Sequence, residues 1–103
     1  MKTFKDLEFK QHKSGKGIGA VMTFDNGNIL SVVAGQSFYS NPREDKDDVD
    51  LFDSFEVAVL RRDGVGWSEF VTKEFVPDMN DDGLGWQTRG QINTLMLLVQ
   101  SQK

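Results

Sequence analysis

The sequence predicts an α+β fold: an antiparallel sheet of four or five strands with one C-terminal helix, all in a single domain, 1–103. Three observations predict it. Two apolar stretches flank an Asn-Gly pair. A later segment alternates apolar residues with a period of two. A capping pattern near the end opens an apolar stripe at helical spacing.

The elements follow in order. Phe4 to Phe9 carries spaced apolar residues and reads as an edge strand. Lys13-Ser14-Gly15-Lys16-Gly17 reads as a turn. Ile18–Phe24 and Ile29–Ala34 then flank Asp25-Asn26-Gly27-Asn28. Asn-Gly accepts the positive φ angles of a type I′ turn, so the two stretches form a hairpin. With Asn26-Gly27 as a two-residue loop, Phe24 opposes Ile29, Met22 opposes Ser31 and Ala20 opposes Val33. Thr23, Leu30, Val21 and Val32 then share the other face. Both faces are substantially apolar in that register, and both need cover.

Residues 35–53 break the pattern. Gly35, Ser37, Ser40, Asn41 and Pro42 are turn formers, and Glu44 to Asp50 is mostly acid. Loops of this length in compact domains are usually functional or disordered. From Ser54 to Arg61 the chain reads as strand, with Phe55, Val57 and Val59 alternating with Glu56, Ala58 and Leu60. Asp63-Gly64 marks a second turn, Trp67 to Phe75 a returning strand, and Val76 to Gln87 a polar loop. Thr88 and Gln91 have the spacing of a capping box. Ile92, Leu95, Met96 and Val99 line one helix face, while Leu97 points away from it. One helix covers one sheet face. The second apolar face needs the long loop, the N-terminal segment or another chain.

Hydrophobic residues make up 38% and charged residues 27%, a globular balance. The absence of cysteine excludes disulfides and thiolate zinc sites. Met1 is followed by polar, Lys-bearing sequence, and the longest apolar run, Leu95 to Val99, is too short to span a bilayer. A cytoplasmic protein with no membrane partner is expected. The net charge of −4 is uneven: five Lys against Asp6 and Glu8 in residues 1–20, eight acids against Arg43 and Lys46 in 21–60. An acidic middle disfavours binding to phosphate backbones, so no nucleic-acid partner is expected.

No motif carries catalysis. Asp78-Met79-Asn80-Asp81-Asp82-Gly83 matches the first half of a calcium loop, with Asp78, Asn80 and Asp82 at ligand positions. The twelfth position, which needs a bidentate Glu, is Arg89, so a structural loop is the better reading. Gly15-Lys16-Gly17-Ile18-Gly19-Ala20 matches the dinucleotide pattern in letters, but a strand follows where a helix is required. The single histidine, His12, sits in a Lys-rich turn, away from anything like a nucleophile elbow. No enzyme activity, no cofactor and no metal are expected. The acids Glu44, Asp45, Asp47, Asp48, Asp50 and Asp53 read either as a solvated loop or as steering toward a basic partner. Phe38, Tyr39 and Trp86 fall in loops, where aromatics either plug a small core or anchor a partner.

The pattern Asn26-Gly27, Leu30-Ser31-Val32, Tyr39, Phe55-Glu56-Val57-Ala58-Val59 and Gly85-Trp86 before a final helix is familiar. It resembles a family of small tailed-bacteriophage proteins of unknown function, from about Phe24 to Val99. That resemblance implies a phage setting, hence the host cytoplasm. It carries no activity and no functional residue.

The expected function is therefore non-enzymatic: a small phage-type accessory protein that binds a macromolecular partner, a host protein being the candidate. The expected contact residues are Phe38, Tyr39, Glu44, Asp45, Asp47, Asp48, Asp50, Trp86 and Leu97. One alternative is a self-associating structural or virion-associated protein, a homodimer through strand edges, Leu97 or the second sheet face. The others are an acidic nucleic-acid mimic and a calcium-binding module using Asp78, Asn80 and Asp82.

Overall fold

The structure, a computed structural model, describes residues 1–12, 15–62, 68–76 and 83–102. Lys13-Ser14 of the first turn, the Asp63-Gly64 turn, Trp67 and the Asp78, Asn80 and Asp82 set lie outside the described residues.

The expected fold class holds. An antiparallel sheet runs in the order β1 (Lys10–Gln11), β2 (Ile18–Thr23), β3 (Asn28–Ala34), β4 (Phe55–Arg62), β5 (Ser68–Phe70). A sixth strand, β6 (Leu84–Gln87), also pairs with β4. The C-terminal helix is α2 (Arg89–Ser101), and a single turn, α1 (Thr72–Phe75), precedes β6. No helix among the described residues is long and apolar enough to cross a membrane.

The central hairpin departs from expectation by one residue. Phe24 pairs with Asn28 through its N–H to the Asn28 carbonyl at 2.8 Å, leaving a three-residue loop, Asp25-Asn26-Gly27. Only Gly27 takes a positive φ there, at 90°, and its N–H donates to the Phe24 carbonyl. Burial selects this register. Ile18, Ala20, Met22 and Phe24 now share one face with Leu30, Val32 and Ala34, and most of these are fully buried. A slip of one residue would split that set across both faces.

The second face is accordingly less apolar than expected. Its rows run Thr23, Ile29, Leu60, Phe70 and Val21, Ser31, Ala58 across the sheet. Val21 is 71% exposed and Phe70 54%. An open depression of about 540 Å³ lies along this face, between Val21, Ile29, Val33, Leu60 and Arg62.

The helix covers the inner face as the sequence predicts. Thr88 Oγ1 accepts from the Gln91 N–H at 3.2 Å, and Gln91 Oε1 accepts from the Thr88 N–H at 2.9 Å. Ile92, Leu95, Met96 and Val99 are the buried residues of α2. They join Leu30, Val32, Phe52, Phe55, Val57 and Val59 in one hydrophobic core.

The first segment is not an edge strand. Phe4–Asp6 forms a 3-10 turn, because Asp6 Oδ2 accepts from the Thr3 N–H at 2.8 Å and closes the loop on itself. That same hydrogen bond holds the Asp6 carboxyl below the ordinary carboxylate range, with the nearby charges of Lys2 and Lys5 acting in the same direction. The turn lets Phe4 and Phe9 both pack on Phe55, at ring distances of 5.2 and 5.7 Å.

The expected strand from Trp67 to Phe75 ends at Phe70, and the expected loop from Val76 to Gln87 contains β6. A side chain explains the break. β5 pairs with β4 at Leu60–Arg62 and β6 at Phe55–Val57, which leaves Val59 between them. Thr72 fills that gap: its buried Oγ1 accepts from the Val59 N–H at 2.9 Å and donates to the Val59 carbonyl at 3.3 Å. Thr72→Val removes this partner while keeping the shape. The expected loss is about 1–2 kcal/mol, because a buried N–H loses its acceptor. Urea unfolding checks it, and Thr72→Ser should retain most of the stability.

The acidic loop is not free coil. Phe52 is fully buried. Arg89 donates from Nη1 to the Phe52 carbonyl at 2.8 Å and from Nη2 to the Val49 carbonyl at 2.9 Å. Its guanidinium lies 5.3 Å from the Phe4 and Phe55 ring centres. The residue that disqualified the calcium pattern is thus the strap of the long loop.

Candidate functional site

β6 meets β4 irregularly. Phe55 pairs with Gln87 and Val57 with Leu84, so Gly85 and Trp86 together oppose Glu56. This is a β-bulge, a device that re-aims a side chain out of the regular ladder. Trp86 takes φ 51°, the sole positive φ at a non-glycine among the described residues. For a bulky side chain that conformation is disfavoured by roughly 1–2 kcal/mol. Such strain persists only where the surroundings impose it, and it concentrates at functional positions.

The surroundings here are explicit. The Trp86 N–H donates to the Tyr39 carbonyl at 2.8 Å, and the Tyr39 N–H donates to Glu56 Oε1 at 3.0 Å. A Cβ on Gly85 would meet Tyr39 Cβ at 2.8 Å, so only glycine permits this approach. The outcome is a ring pair, Tyr39 and Trp86, with centres 5.0 Å apart and planes 32° apart. Arg43 adds its guanidinium 5.1 Å from the Tyr39 ring centre. The pair stays open to solvent, with Tyr39 47% and Trp86 54% exposed.

Two sequence-predicted contact residues, 47 positions apart, are thus brought together. The others are not. Phe38 turns away and meets the His12 ring edge-on at 4.9 Å. Leu97 sits on the solvent side of α2, beside an equally exposed Leu98 that the sequence reading passed over.

The acids divide in two. Asp45 Oδ1 accepts from the Gln36 N–H at 2.9 Å, Asp48 Oδ1 from the Asp50 N–H at 3.0 Å, and Glu44 pairs with Lys46 at 3.1 Å. Those three hold the loop in shape. Asp47, Asp50 and Asp53 are exposed and make no side-chain hydrogen bond or ion pair with another described residue. No group of three metal-ligating side chains occurs among the described residues.

Sequence reasoning missed Arg43, Glu56 and Arg89 as supports. Their roles depend on contacts across the fold, and a single-residue reading carries no signal for them. Gly85 was visible as half of a Gly-aromatic pair, but its reason, the approach of Tyr39, was not.

Fold and site define an α+β protein with an exposed aromatic pair beside a bulged strand. No protein-family model matches the chain, and no curated protein or solved structure is significantly similar to it.

Proposed function

We propose that this chain is a non-enzymatic accessory module that binds a protein partner through the Tyr39–Trp86 face. The observation that carries the reading is the strained, half-exposed Trp86, whose N–H donates to the Tyr39 carbonyl while the Tyr39 N–H is anchored on the Glu56 carboxylate. Trp, Tyr and Arg are the residues that dominate binding energy at protein interfaces. A pre-set aromatic pair also loses little side-chain entropy on docking. Uncompensated charge on Asp47, Asp50 and Asp53, in a chain of net charge −4, favours a basic partner surface. The sequence resemblance to phage proteins makes a host protein the partner to seek.

Trp86→Gly tests this cleanly. Glycine relieves the positive φ and deletes the ring, so the gain of roughly 1–2 kcal/mol and the lost stacking of roughly 0.5–1.5 kcal/mol nearly cancel. Stability should move by less than about 1 kcal/mol. Affinity for a partner identified by host-lysate capture should fall by roughly thirtyfold or more. Equal affinity of variant and wild type, or a measurable turnover that survives the change, would count against the proposal.

A second copy of the chain is the other reading, favoured by the exposed Val21 and Phe70 beside Ile29 and Leu60 on the outer sheet face. Sedimentation across a wide concentration range separates the two. Mass that rises with concentration and reverts on Val21→Lys supports self-association.

A further inference from the structure

We infer that Asn26 is a deamidation site whose conversion unlatches the end of α2. Asn26 precedes Gly27, the sole Asn-Gly pair in the chain, and both residues are exposed in the hairpin loop. A Cβ built on Gly27 would meet nothing within 4 Å, so the space beside its Cα is open. Asn28, by contrast, is buried and followed by the β-branched Ile29.

The reaction is a ring closure. Gly27 N, giving its proton to hydroxide, attacks Asn26 Cγ. The bond from Cγ to the side-chain nitrogen breaks, that nitrogen takes a proton from water and leaves as ammonia, hydroxide is regenerated, and a succinimide remains. Water then adds to either ring carbonyl and gives aspartate or isoaspartate. One water is consumed and one ammonia released.

The folded chain holds every participant away from this path. The Gly27 N–H is committed to the Phe24 carbonyl at 3.0 Å. Asn26 Nδ2 donates to the carbonyls of Val99 at 2.8 Å and Gln102 at 2.5 Å, and Oδ1 accepts from the Asn28 N–H at 3.0 Å. Asn26 thus caps a helix 73 positions away. Closure must wait until the last turn of α2 opens, a low-energy local event at a chain end. Once aspartate has formed, the latch cannot reset. A carboxylate has no N–H to offer, and its charge faces two carbonyls at the negative end of the helix dipole. The Gln102 carbonyl then loses its partner, while Gln102 Oε1 stays with Arg61 and Asn28 and the Val99 carbonyl stays with Asn28 Nδ2, so the loosening falls on the last residues of α2.

Peptide mass mapping during incubation at mildly alkaline pH tests this in the intact chain. The expected result is conversion at Asn26 ahead of every other asparagine, slower in the folded protein than in urea by roughly tenfold or more. Asn26→Asp should melt roughly 5 °C or more below wild type, with faster amide exchange over the last turn of α2. The aged wild-type protein, which carries aspartate and isoaspartate at this position, should also melt below fresh protein, which keeps the test informative if the variant folds poorly. Equal rates with and without urea, no conversion at Asn26 in either, or aged protein that melts like fresh protein would overturn the inference.

Discussion

Phe55→Ala is expected to remove roughly 3–5 kcal/mol of stability, the range for truncating a large buried ring. Domains of this size hold about 5–15 kcal/mol in total, so the variant should sit near its folding limit. The cost is high because Phe55 is a hub. It is fully buried, with Phe4, Phe9 and Phe52 rings at 5.2, 5.7 and 6.1 Å. The Arg89 guanidinium also rests 5.3 Å from its centre. Removing the ring leaves a cavity and takes away the surface on which Arg89 lies while it holds Val49 and Phe52. The effect should therefore reach the acidic loop. Urea unfolding should give a lower midpoint at unchanged slope. Amide exchange at Phe52 and Asp53 should accelerate more than at β2. Phe55→Leu, which keeps most of the volume, should cost less than half as much.

This hub marks where the sequence was legible and where it was not. The β4 alternation and the α2 stripe read correctly because each repeats a period over several residues, and periodicity survives any tertiary context. Phe52 did not read, since it follows a run of acids and composition classed the whole stretch as loop. The 3-10 turn at Phe4 and the break after Phe70 were also hidden. Each depends on one side chain replacing a backbone partner: Asp6 for the first, Thr72 for the second. The hairpin register failed for a related reason. Asn-Gly signals a turn but not its length, and the choice fell to the burial of Ile18, Ala20, Met22 and Phe24 on one face. At the candidate site, Tyr39 and Trp86 were visible as aromatics outside regular elements. Their meeting was not, because it requires a bulge in a strand the sequence read as loop.

Asn28→Ala is the second large effect, expected at about 2–3 kcal/mol, because it leaves neighbouring polar groups without partners. Asn28 begins β3 on the inner face and is only 2% exposed. Its Nδ2 donates to the Val99 carbonyl at 2.9 Å and to Gln102 Oε1 at 3.2 Å, while its Oδ1 accepts from Arg61 Nε at 2.9 Å. Arg61 in turn pairs with Glu74 at 3.0 Å and donates to Gln102 at 2.7 Å. One buried amide thus joins the hairpin, β4, α1 and the end of α2. The Val99 carbonyl keeps Asn26 when Asn28 is lost, so the larger share of the cost falls on Arg61, whose Nε loses its acceptor. That assignment separates three variants. Asn28→Asp keeps an acceptor for Arg61 but sets a negative charge against the helix end, so it should cost less than alanine only if Arg61 dominates. Asn28→Leu should be at least as damaging as alanine. Adding Arg61→Met to Asn28→Leu should recover part of the loss, because both halves of the broken pair are then apolar. A double variant as unstable as the sum of its parts would place the cost at the Val99 carbonyl and Gln102 Oε1, and α2, not β4, would then be the element that Asn28 secures.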